Sequence, residues 1–372
     1  MNSLPDSSKF SRKMSRSLLP FLLLSCLLSS LPLSAQVSRQ DLEDLERHRK
    51  PRQAVPVLQS IEDAQDTSRW DSSIIGTWDF LDAEEESQEG QAGDVTDYAV
   101  DWNRTTIQQR VFTLPQELLI PYNDELESFI RSYVVRHAKP LRSILGKYDY
   151  YEKAIRSAFA RHGLPEDLTA LAIVESAMNT RALSRAGARG MWQFMPETAR
   201  RYGLRCDYSV DERLDPYRSA DAAARYLKAA YARFGDWPLA ISSYNCGPGT
   251  VENAILRANS TDFWKIYPYL PRETRGYMPA FVAALYSIEF HDLHGITPKA
   301  YGEGSVTNFR ITRNMTFKEI IRATGVPSSE LVRLNPQYMT GDIPGYQKNY
   351  ILRLPKKYAK LFKDNIDIVN AD

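Results

Sequence analysis

The chain has 372 residues, of which 43% are hydrophobic and 25% are charged, and its formal net charge is +1. These values are those of an ordinary globular protein, with enough chain for one sizeable core and a second, smaller module. Nucleic-acid binding needs concentrated Lys and Arg, so the near-neutral charge argues against a nucleic-acid partner.

The N-terminus has the layout of a secretory signal peptide. Basic residues from Lys9 to Arg16 precede the Leu-rich run "SLLPFLLLSCLLSSLPL", and small residues end at Ala35. Pro and Ser interrupt the run, which falls short of the ~20 apolar residues of a spanning helix. We therefore predict a signal peptide at residues 1–35 and export, with a retained N-terminal anchor as the alternative. Cys26 lies inside the apolar run rather than at its end, which disfavours lipid attachment.

Residues 36–110 are polar, with the acidic stretch "DAEEESQEGQAGD" at their centre. Such a segment cannot bury enough apolar surface to offset its ordering entropy. We predict a mostly disordered acidic spacer, with an acidic docking arm as the alternative.

Helical periodicity dominates the next part of the chain. From "IPYNDELESFIRSYVVRH" onward, apolar residues recur every three or four positions. Gly163 with Pro165 beyond it, and Gly235, are signals that end helices. An alternating strand pattern does not interrupt this part. The sequence therefore predicts an all-α domain over residues 111–298.

The pattern changes after "HGITPKAYGEGS". A strand is predicted at residues 309–311, a helix from Thr316, a second helix at Ser328–Leu334 and a strand at residues 350–354. The predicted fold class is therefore mainly α: an all-α domain followed by a small βααβ module at residues 304–357, with a C-terminal tail at 358–372.

The sharpest chemical feature is Glu175 in "LTALAIVESAMNTRALSRAGARG". Glutamate is rarely buried without a partner, and desolvation raises its pKa toward neutrality. A general acid that works at physiological pH requires this property. The alternative is a surface glutamate at the polar edge of a core helix.

A glycine-containing loop follows, with Gly187 and Gly190 ahead of Trp192, Gln193 and Phe194. Small residues let a backbone pass close to a ligand. Aromatic faces beside amide donors are expected in a saccharide cleft, although single aromatic residues of this kind more often belong to the core.

Two further clusters lie at predicted helix boundaries. Tyr244 and Asn245 precede Gly247, and Glu273 and Tyr277 are spaced one helical turn apart. Each alone is an ordinary helix-boundary pattern.

Together the clusters resemble the four motifs of the family 1 lytic transglycosylases in order and spacing. The motifs are "ES" at residues 175–176, "GMWQ" at 190–193, "YNCG" at 244–247 and "ETRGYM" at 273–278. The chain layout resembles the membrane-bound lytic murein transglycosylase D type. The C-terminal module resembles a lysin-motif domain, although Asn314-Met315 stands where that motif usually has Gly-Asp.

The resemblance implies a lysozyme-like α domain that cleaves the β-1,4 bond between N-acetylmuramic acid and N-acetylglucosamine in peptidoglycan, forming a 1,6-anhydro sugar. Glu175 matches the catalytic acid/base. The scheme uses one carboxylate where glycosidases usually have two, and in the family the substrate's acetamido group stabilises the cationic sugar. The positions that match substrate-binding residues are Ser176, Met191, Gln193, Tyr244, Asn245, Glu273 and Tyr277.

The resemblance also implies glycan strands of peptidoglycan as partner, no cofactor, a monomer and a periplasmic location, and it leaves association with the outer membrane open. The nearest rival is a hydrolytic muramidase, which needs a second carboxylate such as Glu197 or Glu273. A non-catalytic peptidoglycan-binding protein is the rival from another class.

The remaining Cys and His residues give weaker signals. His291 and His294 are too few for a metal site without further ligands at a usual spacing, so we predict no metal. Cys206 and Cys246 either form a disulfide in an oxidising compartment or remain buried thiols.

Overall fold

The computed structural model describes residues 102–302, 304–347 and 350–366. The predicted signal peptide, Cys26 and the predicted spacer up to residue 101 lie outside these ranges. Within the ranges, no helix is both long and apolar enough to cross a membrane.

The first part of the described chain is helical, which confirms the all-α prediction. Asn123, Asp215 and Asp236 each begin a helix by accepting backbone N–H groups with the side chain. A π-helical segment, Ser132–Arg136, continues the second helix. The helices are α1 Arg104–Val111, α2 Asp124–Arg131, α3 Ala138–Arg161, α4 Leu171–Ser176, α5 Pro196–Arg201, α6 Pro216–Phe234, α7 Trp237–Cys246, α8 Pro248–Ala258, α9 Phe263–Ile266, α10 Arg272–Arg275 and α11 Tyr277–Phe290.

Helix α1 lies across the predicted boundary between spacer and domain. Asn103 caps it by accepting a hydrogen bond from the Thr106 N–H at 3.0 Å, and Ile107 and Val111 are buried in the core. Folded structure therefore begins before residue 110, where the sequence predicts spacer. The segment "RTTIQQRV" has only two large apolar residues, so its periodicity is too weak to detect.

Helix α11 lies at the centre of the α domain. Its side chains from Tyr277 to Ser287 are all buried, and it packs against α2, α4 and α7. A helix that is apolar on every face belongs inside a protein. Its first residue, Tyr277, is therefore held by the core.

The C-terminal module has the predicted strand–helix–helix–strand order. Strand β1, Val306–Ile311, pairs antiparallel with β4, Tyr350–Pro355, and Phe309 lies opposite Leu352. The short strands β2, Asn314–Thr316, and β3, Asp342–Pro344, form a second pair that the sequence did not indicate, because three residues are too few for an alternating pattern. The module's elements are β1 Val306–Ile311, β2 Asn314–Thr316, α12 Phe317–Thr324, α13 Ser328–Leu334, β3 Asp342–Pro344, β4 Tyr350–Pro355 and α14 Ala359–Asn365.

Helix α14 lies where the sequence predicts a tail. Phe362 is fully buried, and its ring centroid is 4.6 Å from that of Phe309. The module therefore extends beyond residue 357. Phe362 and Leu361 alone, among lysines and polar residues, give a weak helical pattern.

Cys206 and Cys246 are free thiols, which decides between the two alternatives for this structure. Burial raises the pKa of Cys206 to about 11 and also raises the pKa of Cys246. Both thiols are therefore protonated near neutral pH.

Candidate active site

Glu175 lies in the last turn of the short helix α4, Leu171–Ser176. The four residues before it are buried, and Glu175 itself is partly exposed. The helix ends immediately after, because Ala177 and Met178 both adopt left-handed conformations, with φ of 50° and 63°. Such conformations are costly for residues other than glycine and are concentrated at functional sites. The turn places Glu175 at the end of an otherwise apolar helix.

Burial raises the pKa of Glu175 to about 8, and a hydrogen bond donated by the Tyr277 hydroxyl partly opposes the shift. The carboxyl group is therefore largely protonated at neutral pH. A protonated carboxyl group beside a permanent hydrogen-bond donor has the properties required of a general acid.

Tyr277 and Tyr244 both lie close enough to Glu175 for its charge to affect them. Burial, and then the negative charge of Glu175, raises the pKa of both phenols well above their ordinary value. Both hydroxyls therefore remain protonated across the neutral range. The Tyr244 hydroxyl donates to the carbonyl of Trp192 at 2.9 Å, which joins helix α7 to the glycine-containing loop.

Glu273 and Tyr277 do not share a helical turn as their spacing suggested. Helix α10, Arg272–Arg275, ends after one turn, and α11 begins after Gly276. Tyr277 is buried beside Glu175, whereas Glu273 is exposed. The helix is interrupted at Gly276. Because of this interruption, Glu273 and Tyr277 do not lie on one face of a single helix.

Asn245 is exposed and accepts a hydrogen bond from the Thr274 hydroxyl at 2.7 Å. This contact connects the end of helix α7 with helix α10. The third and fourth motifs therefore meet in space, as their predicted common site requires.

The segment 187–194, here called the active-site loop, passes beside the acid. The Ser176 hydroxyl donates to the Met191 carbonyl at 2.9 Å. The Gln193 side-chain amide donates to the Gly190 carbonyl at 2.8 Å, and Gln193 has a left-handed φ of 45°. The first contact holds the loop against Ser176, which follows Glu175, and the second closes a turn within the loop.

Several residues that the sequence predicted to contact the substrate are buried in the core. Met191 and Ser176 are buried, so the Ser176–Met191 hydrogen bond organises the loop from within. Trp192 is fully buried and its ring stacks on Phe159 at 5.4 Å. Phe194 is also buried. The two loop aromatics are therefore core residues, and Gln193 is the partly exposed side chain between them.

The sequence interpretation missed Asp211 and Arg213. Both Arg213 Nε and Nη2 donate to the Asp211 carboxylate, at 2.9 and 2.7 Å. Arg213 Nη1 also donates to the carbonyls of Gly187 and Phe194, at 3.0 and 3.1 Å. One guanidinium group therefore joins the two ends of the active-site loop. The only sequence signal is the dense charge of "DERLDP" at residues 211–216.

His291 and His294 lie in a short 3-10 helix at the end of α11. The Nε2 atom of His294 lies 2.8 Å from the Tyr286 hydroxyl, and burial lowers the pKa of His294 to about 4. Across the described ranges, no group of three or more His, Cys, Asp or Glu side chains is arranged to hold a metal ion.

Two family models match the chain. The transglycosylase SLT domain matches residues 153–267, and the LysM-like domain of lytic transglycosylase MltD matches residues 306–371. The first match includes Glu175, Gln193, Tyr244 and Asn245.

Curated relatives match over similar regions. Membrane-bound lytic murein transglycosylase D of Escherichia coli (strain K12) is 28% identical over 253 residues, which are 66% of this chain and 55% of the relative. The soluble lytic murein transglycosylase of the same strain is 33% identical over 123 residues, 31% of this chain and 19% of the relative. The chain thus spans about half the length of the first of these relatives.

Among solved structures, the 70 kDa soluble lytic transglycosylase from Escherichia coli matches with a TM-score of 0.36 and 22% identity, over 54% of this chain and 32% of that one. From the two family matches we conclude that the chain carries a transglycosylase SLT domain followed by a LysM-like domain of the lytic transglycosylase MltD type.

Proposed function

We propose that this protein is a peptidoglycan lytic transglycosylase with Glu175 as its single acid/base. The main support is the state of Glu175: burial keeps its carboxyl group protonated at neutral pH, and the Tyr277 hydroxyl orients it. The family matches and the murein transglycosylases among the relatives support the same reaction.

In the proposed reaction, the Glu175 carboxyl group donates its proton to the glycosidic oxygen between N-acetylmuramic acid and N-acetylglucosamine. The bond from C1 to that oxygen breaks, and positive charge develops on the muramic acid ring. The Glu175 carboxylate then removes the proton from the C6 hydroxyl, and O6 bonds to C1. No water is consumed, the products are a 1,6-anhydro sugar and a free hydroxyl, and Glu175 is protonated again.

The other predicted site residues have different proposed roles. Gln193 and Asn245, which are partly or fully exposed, are proposed to bind the glycan directly. Tyr277 orients Glu175. Ser176 and Tyr244 hold the active-site loop through the carbonyls of Met191 and Trp192. Met191 contributes its backbone, and Glu273 is proposed to contact glycan further from the bond that breaks.

A hydrolytic reaction has weaker support. It needs a second carboxylate that activates water. Both candidates, Glu197 and Glu273, are exposed, and the influences on the pKa of Glu175 are burial and Tyr277 rather than another acid. The one-carboxylate scheme therefore fits the described site better.

The cellular setting is proposed from the sequence and the relatives. Export through the predicted signal peptide would deliver the chain to the periplasm, where peptidoglycan lies. The membrane-bound name of the first relative supports association with the outer membrane. We propose no cofactor and a monomeric chain.

The product mass tests the reaction. Purified protein is incubated with peptidoglycan, and the soluble muropeptides are analysed by mass spectrometry beside a digest made with a hydrolytic muramidase. We expect each product to be one water lighter than its hydrolytic counterpart. Products of the hydrolytic mass would identify a muramidase, and the absence of soluble products would favour a binding protein.

A Tyr277→Phe variant tests how the Tyr277 hydroxyl affects the pKa and the orientation of the Glu175 carboxyl group. Loss of the donated hydrogen bond destabilises the ionised carboxylate, so the pKa of Glu175 should rise above about 8. Because the acid must be protonated to act, the alkaline limb of the kcat profile should move to higher pH. We also expect a roughly tenfold lower maximal kcat, since the carboxyl group loses its orienting contact.

Tyr226→Phe is the matched control, because the Tyr226 hydroxyl donates to the Ser243 carbonyl rather than to Glu175. The alkaline limb of its kcat–pH profile should lie at the same pH as in the wild type. A limb that stays in place in Tyr277→Phe, or moves to lower pH, would contradict the proposed orientation of Glu175 by Tyr277.

A further inference from the structure

The C-terminal module contacts the α domain at residues 205–215, here called the docking segment. Val210 forms a β-bridge with Tyr338, the Asp211 N–H donates to the Gln337 carbonyl at 2.9 Å, and the Met339 N–H donates to the Ser209 carbonyl at 2.9 Å. Val210 is fully buried within the hydrophobic core of the module. The docking segment is therefore packed as part of the module as well as part of the α domain.

A buried ion pair strengthens this contact. Both terminal nitrogens of Arg353 on β4 donate to the Asp215 carboxylate, at 3.0 and 3.2 Å. The two side chains are only 7% and 5% exposed, and the Arg353 guanidinium stacks 4.2 Å from the ring centroid of Tyr217. A bidentate arginine–carboxylate pair fixes the relative orientation of its two side chains. Arg353 therefore anchors the module at the start of helix α6, which Asp215 caps.

The docking segment also contacts the active-site loop from its other side. Asp211, whose backbone binds the module, holds Arg213 in a two-pronged pair that is 3% and 7% exposed. Arg213 in turn donates to both ends of the loop, at the carbonyls of Gly187 and Phe194. The Arg213 carbonyl lies against Gly190, where an added Cβ would be only 1.9 Å from the oxygen.

These contacts form one continuous path from the module to the acid. The path runs from Gln337 through Asp211 and Arg213 to the loop, and from Met191 on the loop to Ser176 beside Glu175. The hydrogen bonds on this path join buried or partly buried groups, which have few alternative partners. The remaining steps, from Phe194 to Met191 and from Ser176 to Glu175, follow the polypeptide chain itself. A shift of the docking segment would therefore be transmitted to the loop.

We propose that the C-terminal module positions the active-site loop: the Asp215–Arg353 pair docks the module on the docking segment, and the docked segment holds Arg213 against the loop. Arg353, Asp211 and Arg213 are then positioning residues of the site. This assignment rests on the proposed function for its effect on cleavage, but its effect on the loop can be measured without any substrate.

The test uses full-length Arg353→Leu and a double variant, Asp215→Asn/Arg353→Leu. The single variant leaves a buried carboxylate without its partner, which can unfold a protein. The double variant removes that charge, and asparagine can still cap helix α6. Arg322→Leu is the matched control, because Arg322 is an exposed arginine of the same module.

Hydrogen–deuterium exchange of the folded proteins is the first readout. In the double variant we expect the Met339 amide to exchange faster, and peptides that cover residues 187–194 to exchange at least about tenfold faster than in the wild type. The Arg322→Leu protein should match the wild type at both places. Unchanged exchange at Met339 would show that Arg353 does not dock the module, and unchanged exchange of the loop beside a faster Met339 would show that the module does not hold the loop. Either result overturns the proposal.

Cleavage kinetics are the second readout. A misplaced loop should lower kcat at least roughly tenfold in the double variant, with a smaller change in KM. A role limited to overall stability would lower the melting temperature and leave the kcat of the folded protein unchanged, which would also overturn the proposal. If the wild type itself forms no product, the proposed function fails, and the exchange experiment still decides whether the module holds the loop.

Discussion

A Glu175→Gln variant should lose cleavage almost completely while folding to the same structure. Glutamine has nearly the same shape, but it can neither donate the proton to the leaving oxygen nor accept one from the C6 hydroxyl. General acid–base catalysis by a positioned group contributes roughly 10²–10⁴-fold in rate. Because one residue performs both proton transfers in the proposed reaction, we expect a loss at the upper end of that range.

The same variant should be more stable than the wild type at alkaline pH. The pKa of Glu175 is about 8 in the folded protein, against an ordinary value of 4.5. The folded state therefore holds this proton more tightly than the unfolded state, so its contribution to stability is complete below pH ~4.5 and is lost as the pH rises toward about 8. Glutamine is never ionised, and the variant should gain up to about 5 kcal/mol in free energy of unfolding above pH 8.

Two measurements check this result: initial rates of soluble muropeptide release, and urea unfolding at pH 4.5 and pH 8.5. Glu197→Gln is the control, because Glu197 is an exposed carboxylate at the start of helix α5. It should keep wild-type activity. An inactive Glu197→Gln protein would instead point to a two-carboxylate reaction, and equal stability of Glu175→Gln and wild type at both pH values would contradict the raised pKa.

Sequence patterns were most informative where one residue departs from its surroundings. Glu175 stands out as a lone acid in an apolar run, and the structure gives it the raised pKa that this position predicts. Helix ends at Gly235 and Gly247 were also predicted, since backbone conformations of positive φ favour glycine there. Local signals of this kind depend on a few neighbouring residues and need no knowledge of the fold.

Contacts between residues distant along the chain leave no local sequence pattern, and only the family resemblance placed Tyr277 in the same site as Glu175. Tyr277 is 102 positions from Glu175, and its spacing from Glu273 suggested a shared helix that Gly276 interrupts. The Asp215–Arg353 pair joins residues 138 positions apart. Their charges alone look like a solvated surface, and only the fold shows that they are buried.

A Gly190→Ala variant should be among the most destabilising single-methyl changes in the protein. Gly190 has φ of +82°, and an alanine Cβ would lie 1.9 Å from the Arg213 carbonyl oxygen. That oxygen belongs to the backbone of the docking segment, so it cannot rotate away as a side chain could. We expect the free energy of unfolding to fall by about 4 kcal/mol, the range of severe single substitutions.

Gly187→Ala separates the clash from the backbone strain. Gly187 lies in the same loop with φ of +90°, but an added Cβ there meets nothing within 4 Å. It should cost only about 1–2 kcal/mol, the strain of a left-handed alanine. Urea unfolding of the two variants and the wild type at pH 7 measures the difference, and equal losses of stability would show that the close approach of the Arg213 carbonyl to Gly190 can relax.

If the loop instead shifts to relieve the clash, the carbonyls of Met191 and Trp192 move with it. The folded Gly190→Ala protein should then lose cleavage activity, because Ser176 and Tyr244 bind those two carbonyls beside Glu175.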